Sequence, residues 1–290
     1  MSRTLAAARA RSEAEARCVL FGADVQGAGF SQSQRGGSRT GAAPFAAAAV
    51  RQADDESPSL TESLDEGEGL FDLGDLQLPS DVPGQLEAVG DTVERLSRAG
   101  KRFVCLGGDH LVKYACLEGL ARVLPRCGVV YLDAHPDNVP EERLFYGSIL
   151  HHAWKLRGLS PARTSLLALR QVNLAEKRAL AEQRPGIVWA RDFTAGVQAV
   201  AQQVLGQLAD VDCVFLSVDL DGLSPADAPA VEAPYPGGPG LLEVLEVFRL
   251  VARRKRVVGM DVSEFLVDFD PARLTALTTA RLVKEVAALP

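Results

Sequence analysis

An α/β fold with a mostly parallel sheet is predicted by three features of this chain. From about residue 83 to the end, helix-length amphipathic runs alternate with short apolar runs. The apolar runs, such as Val129-Val130-Tyr131-Leu132 and Cys213-Val214-Phe215-Leu216, have the character of buried strands. Acids and histidines follow directly on them, at the carboxyl ends where parallel sheets gather function. Strict alternation of strand and helix implies a sheet covered by helices on both faces.

The elements follow in order. An apolar run at 18–21 is the first strand. Residues 27–41, rich in Gly, Ser and Gln, predict a mobile loop, and 45–51 a short helix. The acidic, Ser-containing stretch 54–68 reads as an exposed excursion before a strand near 71–76. Amphipathic and apolar runs then predict helix 85–99, strand 102–106, helix 112–124 and strand 128–132. A loop leads to a helix around 148–156, strand 165–169 and helix 174–183. Strand 187–189, helix 197–209, strand 212–217 and helix 241–252 come next. Strand 256–260 and helix 271–287 complete the chain. There is no internal repeat and no linker that splits it, so residues 1–290 are expected to form a single domain, with 1–16 as a peripheral segment.

Composition narrows the function. With 47% hydrophobic residues, the 290-residue chain has ample material for a core. Its 38 acids against 31 bases give a formal charge of −7, and no basic cluster exceeds Arg253-Arg254-Lys255-Arg256, which argues against nucleic acid. No apolar stretch approaches a membrane span, and the N-terminal residues lack the apolar core of a secretory signal, so a soluble, cytoplasmic protein is expected. Cys18, Cys105, Cys116, Cys127 and Cys213 form no C-x-x-C pair and read as buried free thiols in a reducing compartment.

The chemistry lies in three segments. Asp133-Ala134-His135-Pro136-Asp137 and Ser217-Val218-Asp219-Leu220-Asp221 each place an acid or imidazole at every second residue. Extended geometry would put Asp133, His135 and Asp137 on one side, and Asp219 and Asp221 likewise. His110 ends Phe103-Val104-Cys105-Leu106-Gly107-Gly108-Asp109. Four carboxylates with two imidazoles carry a charge that one divalent ion would leave at −2 and two would neutralise. A binuclear metal centre is therefore expected, with His110, Asp133, His135, Asp137, Asp219 and Asp221 as ligands and Asp133 and Asp219 as bridges. Carboxylate and imidazole ligation without cysteine suits Mn²⁺. Two ions about 3.5–4 Å apart can share and deprotonate a water for attack on an electrophilic carbon. Glu264, after a further strand end, is placed at the rim to hold a cationic substrate. His151 and His152 are adjacent, so on a helix at most one of them faces the site as a proton shuttle.

Together these motifs resemble the ureohydrolase family of arginase, agmatinase and formimidoylglutamase. Gly107-Gly108-Asp109-His110, the Asp133–Asp137 run and Ser217 to Pro225 match its three metal motifs. Pro234-Tyr235-Pro236-Gly237-Gly238 and Met260-Asp261-Val262-Ser263-Glu264 are similar to two later ones, and Gly41-Ala42-Ala43-Pro44 is a looser match to its entry motif. The resemblance implies a three-layer α/β/α domain, two Mn²⁺ per chain, Glu264 as the guanidinium-holding acid, and trimers or hexamers. It implies hydrolysis of a guanidino C–N bond to urea and an amine, with Asp137 passing the proton to the leaving amine. Agmatine or another simple guanidino compound is favoured over L-arginine. The alternatives are formimidoylglutamate hydrolysis, or metal binding with little or no turnover. Tyr146, before Gly147-Ser148, stands where the family carries a proton-shuttling His. Ser224 replaces a usual Asp and Ala230 a usual Gly.

Overall fold

The computed structural model describes residue 10 and residues 12–25, 46–53 and 69–290. The expectations for 27–41, for the Gly41–Pro44 motif and for 54–68 lie outside the described residues. Among the described residues, eight strands make one sheet: β1 (Cys18–Ala23), β2 (Leu70–Asp75), β3 (Arg102–Gly107), β4 (Gly128–Leu132), β5 (Thr164–Leu169), β6 (Gly186–Trp189), β7 (Cys213–Asp219) and β8 (Arg256–Ser263). Their order is β2-β1-β3-β8-β7-β4-β5-β6, and every pairing is parallel.

Two helical layers cover the sheet, and the period of two along each strand divides the core between them. Leu20, Val104, Leu106, Val130 and Leu132 face one layer with α1 (Ala46–Ala53), α6 (Val197–Gln207), α7 (Leu241–Ala252) and α8 (Leu274–Ala288). Phe21, Phe103, Cys105, Val129 and Tyr131 face the other. That layer holds α2 (Val82–Arg98), α3 (Leu111–Ala121), α4 (Ile149–Ala153) and α5 (Leu174–Gln183). Each fully buried Leu, Val or Phe contributes roughly 1.5–3 kcal/mol, so both layers are held chiefly by apolar burial. All five cysteines are buried free thiols.

Predicted boundaries need correction at β7, at β8, at the last helix and at the helix around 148–156. β7 and β8 continue past Ser217 and Met260, pairing as far as Asp219 with Ser263. Polar residues in those strands mark a site and not a strand end, because the ladder continues beneath them. The last helix begins at Leu274 rather than 271. Ala272 and Arg273 take positive φ (54° and 61°), and the Asp270 carboxylate accepts the N–H groups of Thr275 and Ala276 at 2.8 and 2.9 Å, capping the new start. The helix expected around 148–156 is one short segment, Ile149–Ala153, entered from a 3₁₀ turn at Tyr146–Ser148.

Candidate metal centre

Neighbourhood in the sheet builds the site. β3, β8, β7 and β4 are consecutive at its centre, and Leu106–Val262, Val262–Val218 and Val218–Leu132 are level in register. His110, Glu264, Asp219 and Asp133 therefore emerge at one edge, from four adjacent strands. Close approach requires glycine twice. A Cβ on Gly108 would lie 2.6 Å from Asp24 Oδ1, and one on Gly222 would lie 2.8 Å from the Asp133 amide nitrogen.

His110 starts α3, and its backbone N–H donates to Glu264 Oε1 at 2.9 Å. Its Nδ1 lies 2.7 Å from Asp219 Oδ2, and its Nε2 contacts Asp137 Oδ2 and lies 2.8 Å from the Tyr131 hydroxyl. His135 Nδ1 lies 3.0 Å from Asp221 Oδ2 and 3.4 Å from Asp133 Oδ1, and its Nε2 meets Gln171 Oε1 at 2.8 Å. Two overlapping ligand groups result, His110/Asp133/Asp219 and Asp133/His135/Asp221. Asp137 adjoins the first through His110.

The six residues converge, but not by extended alternation. β4 stops at Leu132, and the Asp133 carboxylate folds the chain back by accepting the His135 N–H at 2.7 Å. Asp137 then takes φ 45°. In the second segment Asp219 Oδ1 accepts the Asp221 N–H at 2.8 Å, starting a 3₁₀ turn. Asx turns, in which a side-chain oxygen takes up a backbone N–H two residues on, do what a strand's pleat was expected to do. Glu264 also has positive φ (68°). Positive φ in non-glycine residues costs free energy and persists where surrounding contacts hold it.

The electrostatics are those of an acid-crowded, buried site. Burial and the charges of Asp137, Asp221 and Asp219 push Asp133 well above the usual carboxylate range, against the pull of Lys113. Burial, then Asp219 and Asp109, does the same to Glu264. Burial opposes the charged form of His110, yet Asp137 and Asp219 hold the imidazole well above its ordinary value. Burial also opposes His135, but bonds to Asp133 and Asp221 raise it to about 12. Cations in the cluster would relieve this crowding. The donor set, carboxylate and imidazole without sulfur, fits divalent ions of the Mn²⁺ type.

Four residues of this site escaped the sequence reading. Lys113, fully buried, puts Nζ 3.2 Å from Asp133 Oδ2, 3.7 Å from Asp219 Oδ2 and 4.4 Å from the Tyr131 ring centroid. Its signal was available: a lysine three residues after His110, on the same helix face, inside an otherwise apolar run. Tyr131 donates its hydroxyl to Asp137 Oδ2 at 2.6 Å. It stands two residues before Asp133, and so on the same strand face. Arg170 donates to the carbonyls of Ala168, Asp221, Gly222, Leu223 and Tyr235 at 2.5–3.2 Å, which ties the Asp221 turn to the Pro234–Gly238 segment. Gln171 orients His135.

Tyr146 is half-buried within the field of Glu232, Glu264, Asp137 and Asp109; burial and those charges raise its phenol above the ordinary value. The histidine pair engages other groups. His151 Nε2 meets Lys155 Nζ at 2.9 Å, and His152 Nε2 meets the Glu141 carbonyl at 3.0 Å.

Comparison with known proteins places this geometry in a family. A sequence model described as "Arginase family" matches residues 16–288. This chain belongs to the arginase family. The arginase-family chain is 31% identical to an agmatinase of Sodalis glossinidius over 77% of its own length and 69% of the relative's. It is 31% identical to the proclavaminate amidinohydrolase of Streptomyces clavuligerus over 77% of this chain and 75% of that one. It is 30% identical to a formimidoylglutamase of Salmonella heidelberg over 76% and 71%. The solved structure of the Streptomyces enzyme superposes with a TM-score of 0.83 at 25% identity, covering 100% of this chain and 96% of that one. The family consists of hydrolases acting on guanidino and amidino C–N bonds. Among the described residues, no helix is long and apolar enough to cross a membrane.

Proposed function

We propose that this protein is a metal-dependent ureohydrolase that cleaves the guanidino C–N bond of a small cationic substrate, agmatine or a close analogue, to urea and an amine. One observation carries the reading: two ligand groups share Asp133 at the ends of adjacent central strands, with Glu264 beside them. His110, Asp137, Asp133 and Asp219 would hold one divalent ion and Asp133, Asp219, His135 and Asp221 the other, with Mn²⁺ the best chemical match and two ions the full complement. Bound there, the ions would supply Lewis acidity and lower the pKa of water to near neutrality.

The chain's own residues do the rest. The Glu264 carboxylate pairs with the guanidinium and fixes the orientation of its carbon. Asp137, bonded to the Tyr131 hydroxyl and beside His110, is positioned to take a proton and return it to the leaving amine. Asp109, Glu232 and Glu264 surround Tyr146 with negative charge, which favours a guanidino compound without a carboxylate over L-arginine. Tyr146 is the group at the shuttle position, and the partners of His151 and His152 support that choice over either histidine. The reading is completed by a soluble, cytoplasmic homo-oligomer, trimer or hexamer, for which exposed Phe269, Leu274 and Leu277 offer apolar contact surface.

The test is a substrate panel with saturating Mn²⁺: agmatine, other guanidino compounds, L-arginine and formimidoylglutamate, read as urea or formamide release. Urea from agmatine or a related monocation is expected. Formamide alone would move the assignment to the formimino substrate, and no product from any substrate would end the hydrolase reading.

A further inference from the structure

The two halves of the cluster differ in one respect: a buried cation already lies against one of them. Lys113 has no exposed surface, and its ammonium approaches Oδ2 of both Asp133 and Asp219. The same Asp219 oxygen lies 2.7 Å from His110 Nδ1, and the same Asp133 oxygen lies 3.5 Å from His110 Nε2. The other oxygens of these two carboxylates turn away. Asp133 Oδ1 serves the His135 side, and Asp219 Oδ1 accepts the Asp221 amide. The ammonium thus occupies the donor atoms that an ion of the His110 half would need and leaves the His135 half untouched. The Tyr131 ring centroid lies 4.4 Å from the ammonium, and Lys113 is buried together with most of α3.

We propose that Lys113 is an internal cation standing in for the metal ion of the His110 half, so that at stoichiometric metal the chain holds a single divalent ion between Asp133, His135 and Asp221. This rests on the metal-site reading above. A second ion enters the His110 half only when its concentration is high enough to compete with the ammonium for Asp133 Oδ2 and Asp219 Oδ2. Charge arithmetic agrees. Four carboxylates with Lys113 leave −3, one divalent ion brings this to −1, and a second overshoots to +1. Neutralising the Lys113 position restores the preference for two. The ammonium also offsets the mutual repulsion of the two central carboxylates before metal arrives, so an empty or half-loaded site stays assembled.

Chelator-stripped full-length protein titrated with Mn²⁺ alone, followed by electron paramagnetic resonance, reads this directly without any assay of turnover. One tight ion with an uncoupled mononuclear spectrum is expected for the wild type. In Lys113→Met, which keeps the unbranched apolar stem, the second site should tighten about 10–100-fold, the scale on which groups supporting a metal's ligands act. Its spectrum should become that of an exchange-coupled pair. Anomalous scattering at the manganese edge should place the wild-type ion beside His135 and Asp221. Two equally tight, coupled ions in the wild type would overturn the role of Lys113 while leaving the metal site standing. No bound ion at all would overturn both. The wild-type count decides the matter even if Lys113→Met does not fold.

Discussion

Glu264 combines partial burial, positive φ and a bond from the His110 N–H, and each of these costs or fixes something. Its carboxyl is raised well above the usual range by burial and by Asp219 and Asp109, so it gains most when a cation arrives. Glu264→Gln keeps the shape and the amide contact but loses the charge. Metal content should stay near wild type while kcat/KM on the best guanidino substrate falls roughly 10–100-fold, the equivalent of losing a charged hydrogen bond of about 1.5–3 kcal/mol. An unchanged kcat/KM would remove Glu264 from substrate binding.

Tyr146 supplies a second test at the same scale. Burial and the acids around it raise its phenol, so the ionised form is present only above the ordinary tyrosine value. A shuttle of that kind makes turnover slow near pH 7 and rising on the alkaline side. Tyr146→His should move the rising limb down toward neutrality and speed the reaction there. A pH–rate profile of Tyr146→Phe that superimposes on the wild type would sink the assignment, and a large kcat loss in His151→Asn or His152→Asn would transfer it to the histidine pair.

Among elements, the turn after β7 depends on Arg170 at the end of β5. Its guanidinium collects carbonyls from three segments that the sheet does not pair, so it acts as their common donor. Arg170→Met leaves buried carbonyls without partners, at about 1–3 kcal/mol for each one that water cannot reach. The variant should melt at lower temperature and bind Mn²⁺ more weakly, because Asp221 loses the support of its own carbonyl. Arg170→Lys should not rescue it, since an ammonium cannot span the fan of acceptors. Wild-type Mn²⁺ affinity in Arg170→Met would show the turn to be self-supporting.

The element scale also shows why parts of the fold were readable and others were not. Leu174–Gln183 begins and ends where expected because local groups set both ends, the Asn173–Glu176 capping box at its start and left-handed Arg184 at its finish. Leu241–Ala252 does so because its buried apolar residues recur at helical spacing. β7 and β8 outran their apolar runs because Asp219, Asp261 and Ser263 are buried in the ladder, a context no local window contains. The one-turn helix at Ile149–Ala153 is set by its 3₁₀ entry and not by its own periodicity.

At the level of the whole molecule, metal binding should be linked to stability. Acids drawn from β4 and β7 and the loops after them are forced together on folding, and the unfolded chain has no such crowding. An ion that binds only the folded state adds RT ln(1 + [L]/Kd), about 2.7 kcal/mol at a hundredfold excess over Kd. Mn²⁺ should therefore raise the melting temperature by several degrees, and a chelator should reverse the gain. A melting temperature indifferent to Mn²⁺ would argue that the cluster holds no ion.

The sequence by itself determined the alternation of strand and helix, the parallel sheet, and the six acids and imidazoles with Glu264 as the candidate centre. Those conclusions depend on local pattern and on residue types at fixed spacings, both of which are visible along a single chain. Tertiary structure decided which strands are neighbours, and so brought β3, β8, β7 and β4 side by side with their ends level. It replaced the expected extended runs with Asx turns at Asp133 and Asp219, and it turned His151 and His152 toward Lys155 and Glu141. It also gave Lys113, a lone lysine in an apolar run, its partners by burying it against two carboxylates. The physical reason is the same in each case: a charge acquires its meaning from the groups that folding places within a few ångströms of it, and those groups lie far away along the chain.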